Sequence, residues 1–111
     1  MSRPYDTWNE RWDYDRVWYN KLPILQVGNG DMVAIDPLVS GQPVVYLSHD
    51  DGQGHGYRLG DNFVDYVDRL VRLGCPGAED WQWLMFTDGP ESGLLVDSPA
   101  AMRWREWIGL V

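Results

Sequence analysis

The chain has 111 residues, 44% of them hydrophobic, and carries nine Lys and Arg against seventeen Asp and Glu, a formal net charge of −8. That length predicts one domain, residues 1–111, with an ordinary core. The acidic balance argues against nucleic acid and anionic lipid as partners, because both need a positive patch, and it favours a basic protein instead.

No apolar run approaches the ~20 residues that a membrane-spanning helix needs. The opening residues 1–6 lack the apolar stretch of a secretory signal, and the single Cys75 cannot form an internal disulfide. A reducing cytoplasm is therefore the expected compartment.

Residues 5–19 are dense in aromatic and charged side chains. Thr7 and Glu10 stand at capping-box spacing. Tyr5, Trp8, Trp12 and Tyr19 come near helical spacing, which predicts a short helix, while Tyr14, Trp18 and Tyr19 also suit an extended lead into Pro23. The chain's seven Trp are read first as core, since each large ring can close much of a small interior. An exposed aromatic contact patch is the alternative.

Leu22 to Val27 reads as a strand, with Pro23 at its start or on a sheet edge. Gly28-Asn29-Gly30-Asp31 is a turn of residues that tolerate positive φ. Met32 to Ile35 is a second strand, closed by Asp36-Pro37, and a loop follows over residues 39–42. Pro43 to Ser48 is a third strand, whose unbroken Val44-Val45-Tyr46-Leu47 run predicts burial on both faces. His49 to Gly56 is a glycine-rich acidic loop, and Tyr57 to Leu59 a short fourth strand.

Asp61 is the expected cap of an amphipathic helix in which Phe63, Tyr66, Val67, Leu70 and Val71 share the inward face. Asp65 with Arg69 and Asp68 with Arg72 fall at i, i+4 on the wet side. Gly74 and Pro76 end this helix. Ala78 to Phe86 predicts one or two helical turns with Trp81 and Leu84 or Met85 packed inward. A loop marked by Gly89-Pro90 leads to a last helix, with Ser98 as cap and Pro99 at its first position. Trp104, Trp107 and Ile108 are its expected apolar stripe, and Gly109 its end. The residues alone define a small acidic α+β domain.

Catalytic patterns are weak. His49, Asp50, Asp51 and His55 are of the right types for a divalent metal, but their spacing matches no defined motif, and a polar glycine-rich turn is the preferred reading. Cys75 has no His near it in sequence. Asp50 and Asp51 are adjacent, so on an extended segment they point to opposite sides. Gly28-Asn29-Gly30 leads into a strand, not into the helix that a phosphate-binding loop requires. No enzyme, metal or cofactor is expected.

Four pieces occur in a telling order: Leu22-Pro23-Ile24; Gly30-Asp31-Met32-Val33-Ala34-Ile35-Asp36; Val44-Val45-Tyr46-Leu47-Ser48-His49-Asp50; and Leu59-Gly60-Asp61-Asn62-Phe63. Together they resemble the SUKH superfamily, to which the yeast cell-wall assembly regulator domain belongs. The likeness runs from about Trp18 to Leu73. It implies an α+β fold in which helices pack against an antiparallel sheet of short strands. It also implies a non-catalytic protein-binding role: bacterial members look like immunity proteins against secreted toxins, often nucleases, and fungal members act as interaction modules.

Family domains carry one or two helices ahead of the first strand, so the N-terminal lobe here reads as shortened. That leaves a face for a partner or a second copy of the chain. The expectation is a cytoplasmic bacterial immunity protein that pairs its acids with a basic toxin, or else a regulatory scaffold unrelated to toxins. The candidate partner-binding residues are Asp31, Asp36, His49, Asp50, Asp51 and His55, with the four acids on one rim of the sheet.

Overall fold

The computed structural model of the protein describes residues 17–110. The capping box of Thr7 and Glu10, and most of the helix expected near it, lie outside the described residues. Val17 and Trp18 are helical. Four strands follow in a meander: β1 (Leu22–Gln26), β2 (Met32–Ile35), β3 (Val44–Leu47) and β4 (Arg58–Gly60). They form one sheet in the order β1-β2-β3-β4, each pair antiparallel. Among the described residues three further helices complete the α+β fold: α1 (Phe63–Arg72), the short α2 (Asp80–Trp83) and α3 (Pro99–Trp107). A 3-10 turn over Leu84–Phe86 follows α2.

Strand register assigns the faces. Val33 pairs with Tyr46 and Ile35 with Val44, while Met32 pairs with Leu47 and Ala34 with Val45. Val33, Val44 and Tyr46 therefore look towards the helices, where they join Leu59, Tyr66, Leu73, Trp83, Phe86, Leu94 and Ala101 in the main core. Ala34, Val45 and Leu47 look the other way, under Val17, Trp18 and Met32. Every residue of β3 is thus buried, as its apolar run predicts, and each such side chain contributes about 1.5–3 kcal/mol.

The outer edge of β4 is covered: Arg58 donates its N–H to Pro90 O and Leu94 donates to Leu59 O. All five residues of β1 are exposed. Pro23 stands on this edge strand, where its missing N–H costs least.

The expected inward face of α1 is corrected by the structure. Tyr66 is the buried residue of the helix, Leu70 is half-buried and Leu73 buried just beyond it, whereas Phe63, Val67 and Val71 are exposed. Gly60 sets this rotation. A Cβ there would lie 2.7 Å from the Tyr66 backbone, so its absence lets α1 settle on β4 at Tyr66. Asn62, not Asp61, is the N-cap, and its side chain accepts from Asp65 N. Asp61 instead donates its backbone N–H to the Asp65 carboxylate at 2.8 Å. The helix closes as predicted: Gly74, at φ 75°, and Cys75 donate to Val71 O and Leu70 O.

Two other inward assignments fail, those of Trp81 and Trp107. Trp83 at the end of α2 and Phe86 beyond it fill the core, with Leu84 half-buried against it as expected, while Trp81 and Met85 are exposed. Trp83 wins because its indole N–H reaches Ala78 O at 3.1 Å and its ring meets Tyr46 edge-on at 5.0 Å. In α3, Ser98 and Pro99 open the helix as expected. Trp104 donates to Leu73 O at 2.7 Å, tying α3 to the end of α1, but Trp107 is exposed.

Candidate functional site

Antiparallel pairing of β2 and β3 places Met32 opposite Leu47. Asp31, just ahead of β2, therefore meets Ser48 and His49, just past β3. Asp31 is 1% exposed, and its carboxylate is fully engaged. It accepts from the Tyr46 hydroxyl, from His49 Nδ1, from the His49 backbone N–H at 2.8 Å and from Asn29 Nδ2 at 3.2 Å. The Asp31 backbone N–H donates to Asn29 Oδ1 at 2.9 Å. This is close to the acceptor capacity of an ionised carboxylate.

The titration of the group follows from that setting. Burial alone would raise the Asp31 carboxyl, but the hydrogen bonds from Tyr46, His49 and Asn29 together hold it below its ordinary value. His49 is raised, first by its hydrogen bond to Asp31; desolvation opposes this, and the charges of Asp50, Asp31 and Asp80 add to the rise. Tyr46 is pushed well above the usual phenol range by burial and then by its bond to Asp31. At neutral pH Asp31 is therefore ionised and Tyr46 is a donor.

The loop after β3 is built on Ser48. Its buried hydroxyl donates to Asp50 Oδ1 at 2.7 Å and accepts from Gly52 N at 2.7 Å, while its backbone N–H donates to His55 Nδ1 at 2.9 Å. His55 thus anchors the loop from behind. Asp50 and Asp51 are exposed at its tip, Asp51 in the left-handed region at φ 56°, which a short polar side chain tolerates.

A Cβ on Gly52 would lie 2.7 Å from Asp80 Oδ2, 3.1 Å from Ser48 Oγ and 3.5 Å from Asp50 Oδ1. The bare glycine lets the start of α2 sit directly against the loop. Asp80, and Glu79 beside it, therefore join Asp50 and Asp51 in one acidic surface. The sequence reading missed Asp80 and Glu79, because no periodicity links position 52 to position 80; only the tertiary approach does.

The expected single acidic rim is corrected here. Asp31 and Asp36 flank the same strand, so about five residue steps of ~3.4 Å, roughly 17 Å, separate them along it. Asp36 pairs with Lys21 at 3.4 Å and accepts from Leu38 N at 3.2 Å, at the opposite end from His49. Asp31 is on the same rim as His49 and Asp50 but buried, so it shapes the loop instead of offering a free charge.

The ion pairs mark the remaining acids by contrast. Lys21, Arg58, Arg69 and Arg72 pair with Asp36, Asp61, Glu91, Asp65 and Asp68. Among the described residues no Lys or Arg pairs with Asp50, Asp51, Glu79 or Asp80. Asp31, His49 and Asp50 each bring one possible metal-ligand atom within 4.8 Å of the others. In the structure Asp31 and His49 are hydrogen-bonded to each other through His49 Nδ1. A groove of about 430 Å³ on the sheet is lined by Lys21, Asp36, Val45, Arg58 and Glu91 among others, and includes neither His49 nor Asp50.

No family model matches the chain, and no curated protein or solved structure matches it. No helix among the described residues is long and apolar enough to cross a membrane.

Proposed function

We propose that this chain is a non-catalytic protein-binding module of toxin-immunity type, acting in the bacterial cytoplasm. It neutralises a basic toxin domain by direct binding. A nuclease is the toxin class that best supplies such a surface, because its nucleic-acid groove is already lined with Lys and Arg. The observation that carries the reading is the acidic surface of Asp50, Asp51, Glu79 and Asp80, which no described Lys or Arg pairs, whereas Lys21, Arg58, Arg69 and Arg72 are taken up by Asp36, Asp61, Asp65, Asp68 and Glu91. The SUKH-like order of motifs supports the same reading.

The mechanism is steric and electrostatic. The acids speed encounter with the toxin, pair with its groove, and keep substrate out. His49, held by Asp31, fixes the base of the loop on which Asp50 and Asp51 ride. His55 serves the same end through Ser48.

The test is a pull-down with the full chain as bait, at low and high salt, from cells carrying its neighbouring genes. A basic nuclease-like partner, lost as salt rises, is the expected product. Recovery of housekeeping proteins alone would replace this reading with a regulatory scaffold.

A further inference from the structure

We propose that Trp81 is the anchor of this acidic surface and that it seats an arginine of the partner, with Glu79, Asp80 and Asp50 supplying the surrounding negative charge. The inference rests on the basic-partner reading above and names the contact that reading leaves open.

Trp81 is 65% exposed, an unusual position for so large an apolar ring in a chain that buries Trp83 two residues away. Its indole Nε1–H donates to Glu79 Oε1 at 3.1 Å, and its backbone N–H donates to Asp80 Oδ1 at 2.9 Å. The ring edge is thus tied to one carboxylate and its backbone to another, which leaves a ring face open in a field of negative charge. No other aromatic ring of the described residues covers it. Gly52 brings Asp50 and Asp80 to the same spot.

Trp107 is more exposed still, but it leans on Trp104, with ring centroids 5.7 Å apart, and its helix carries Arg103 and Arg105. Those surroundings do not favour a cation, so the two exposed tryptophans are not equivalent.

A cation over an indole face is attracted by the ring quadrupole, and Trp is the best such ring. Guanidinium suits this site better than ammonium. It is planar, weakly hydrated, and can stack on the ring while its N–H groups reach carboxylates at the rim. Exposed aromatic anchors ringed by polar groups are also where interface energy concentrates.

Capped hexa-arginine and hexa-lysine peptides, titrated into the full chain at low salt, test the idea, with the Trp81 indole N–H followed by NMR. The expected result is arginine binding tighter by about two- to fivefold, with the Trp81 indole signal moving. Trp81→Leu should abolish the preference and leave hexa-lysine binding unchanged, and Trp81→Phe should keep part of it.

Equal affinity for the two peptides, or a preference that survives Trp81→Leu, overturns the inference. If both peptides still bind and Asp50→Lys with Asp51→Lys weakens them, the acidic-surface reading stands without its anchor. If neither peptide binds, the inference and the reading beneath it fall together.

Discussion

Two acidic regions of this molecule use their charge in opposite ways. Along α1, Asp65 and Asp68 each meet an arginine four residues on, and Asp61 meets both Arg58 and Arg69. Around the loop after β3, Asp50, Asp51, Glu79 and Asp80 meet no Lys or Arg among the described residues. The first region spends its charge holding the fold together, and the second leaves it facing outward. Count and composition cannot tell them apart; the placement of the cations does.

The loop region also has a buried charge beneath it, and this gives the largest expected effect. Asp31→Ala leaves the Tyr46 hydroxyl and two His49 donors without their acceptor. Removing one member of a buried, hydrogen-bonded charged group costs about 3–5 kcal/mol, a large part of a small domain's stability. Urea unfolding should show it. Tyr46→Phe removes a single donor and should cost only about 1 kcal/mol. Equal costs for the two variants would mean that the carboxylate is not the hub of the group.

On the α1 side, Arg69 is the counterpart. It bonds Asp65 at 2.7 Å and reaches the backbone carbonyls of Leu94 at 3.1 Å and Ser92 at 3.3 Å. Arg69→Ala should therefore cost about 1–2 kcal/mol in the same assay, without changing affinity for a basic partner. Asp68→Ala, which breaks the exposed 3.8 Å pair with Arg72, should cost about 0.5 kcal/mol or less.

The pH dependence separates the regions further. Asp31 titrates below its ordinary 3.8 in the folded chain, so its contribution is complete above that value and is lost as pH falls through the folded one. His49 titrates above its ordinary 6.5. Its contribution is complete below 6.5 and is lost as pH rises through the folded value. The pair is strongest between those limits, and stability should decline on the alkaline side. His49→Gln should flatten that alkaline arm while leaving the acid arm in place. An unchanged alkaline arm would show that the decline has another source.

Much of this fold was legible in the sequence, for local reasons. Met32 to Ile35 and the core of the Pro43 to Ser48 run are strands because β-branched and aromatic residues stand between turn formers. The Gly74 and Pro76 stop and the Ser98-Pro99 start follow from backbone chemistry that needs no distant partner. Apart from the cap of α1, which falls on Asn62 next to the expected Asp61, the main misreadings depended on distant partners. The rotation of α1 is set by Gly60 against Tyr66, and the choice of Trp83 over Trp81 by Tyr46 and Ala78.

The geometry of the candidate surface was legible in part. His49, Asp50 and Asp51 were placed together because they crowd one loop. Asp36 was grouped with Asp31 because both stand at strand ends, yet the strand between them carries them to opposite ends of the sheet. Asp80 and Glu79 had no local signal, because their place beside the loop comes from an approach to Gly52 that only the folded chain creates.

The most direct test of the unpaired acidic surface is the association rate with the basic partner recovered by pull-down, measured across a salt series. Three proteins suffice: the unaltered chain, Asp50→Lys with Asp51→Lys, and Arg69→Ala. The double charge reversal should slow association about tenfold or more at low salt and flatten its salt dependence, while Arg69→Ala matches the unaltered chain. An unchanged rate for the double variant would contradict the account and remove this loop from the interface.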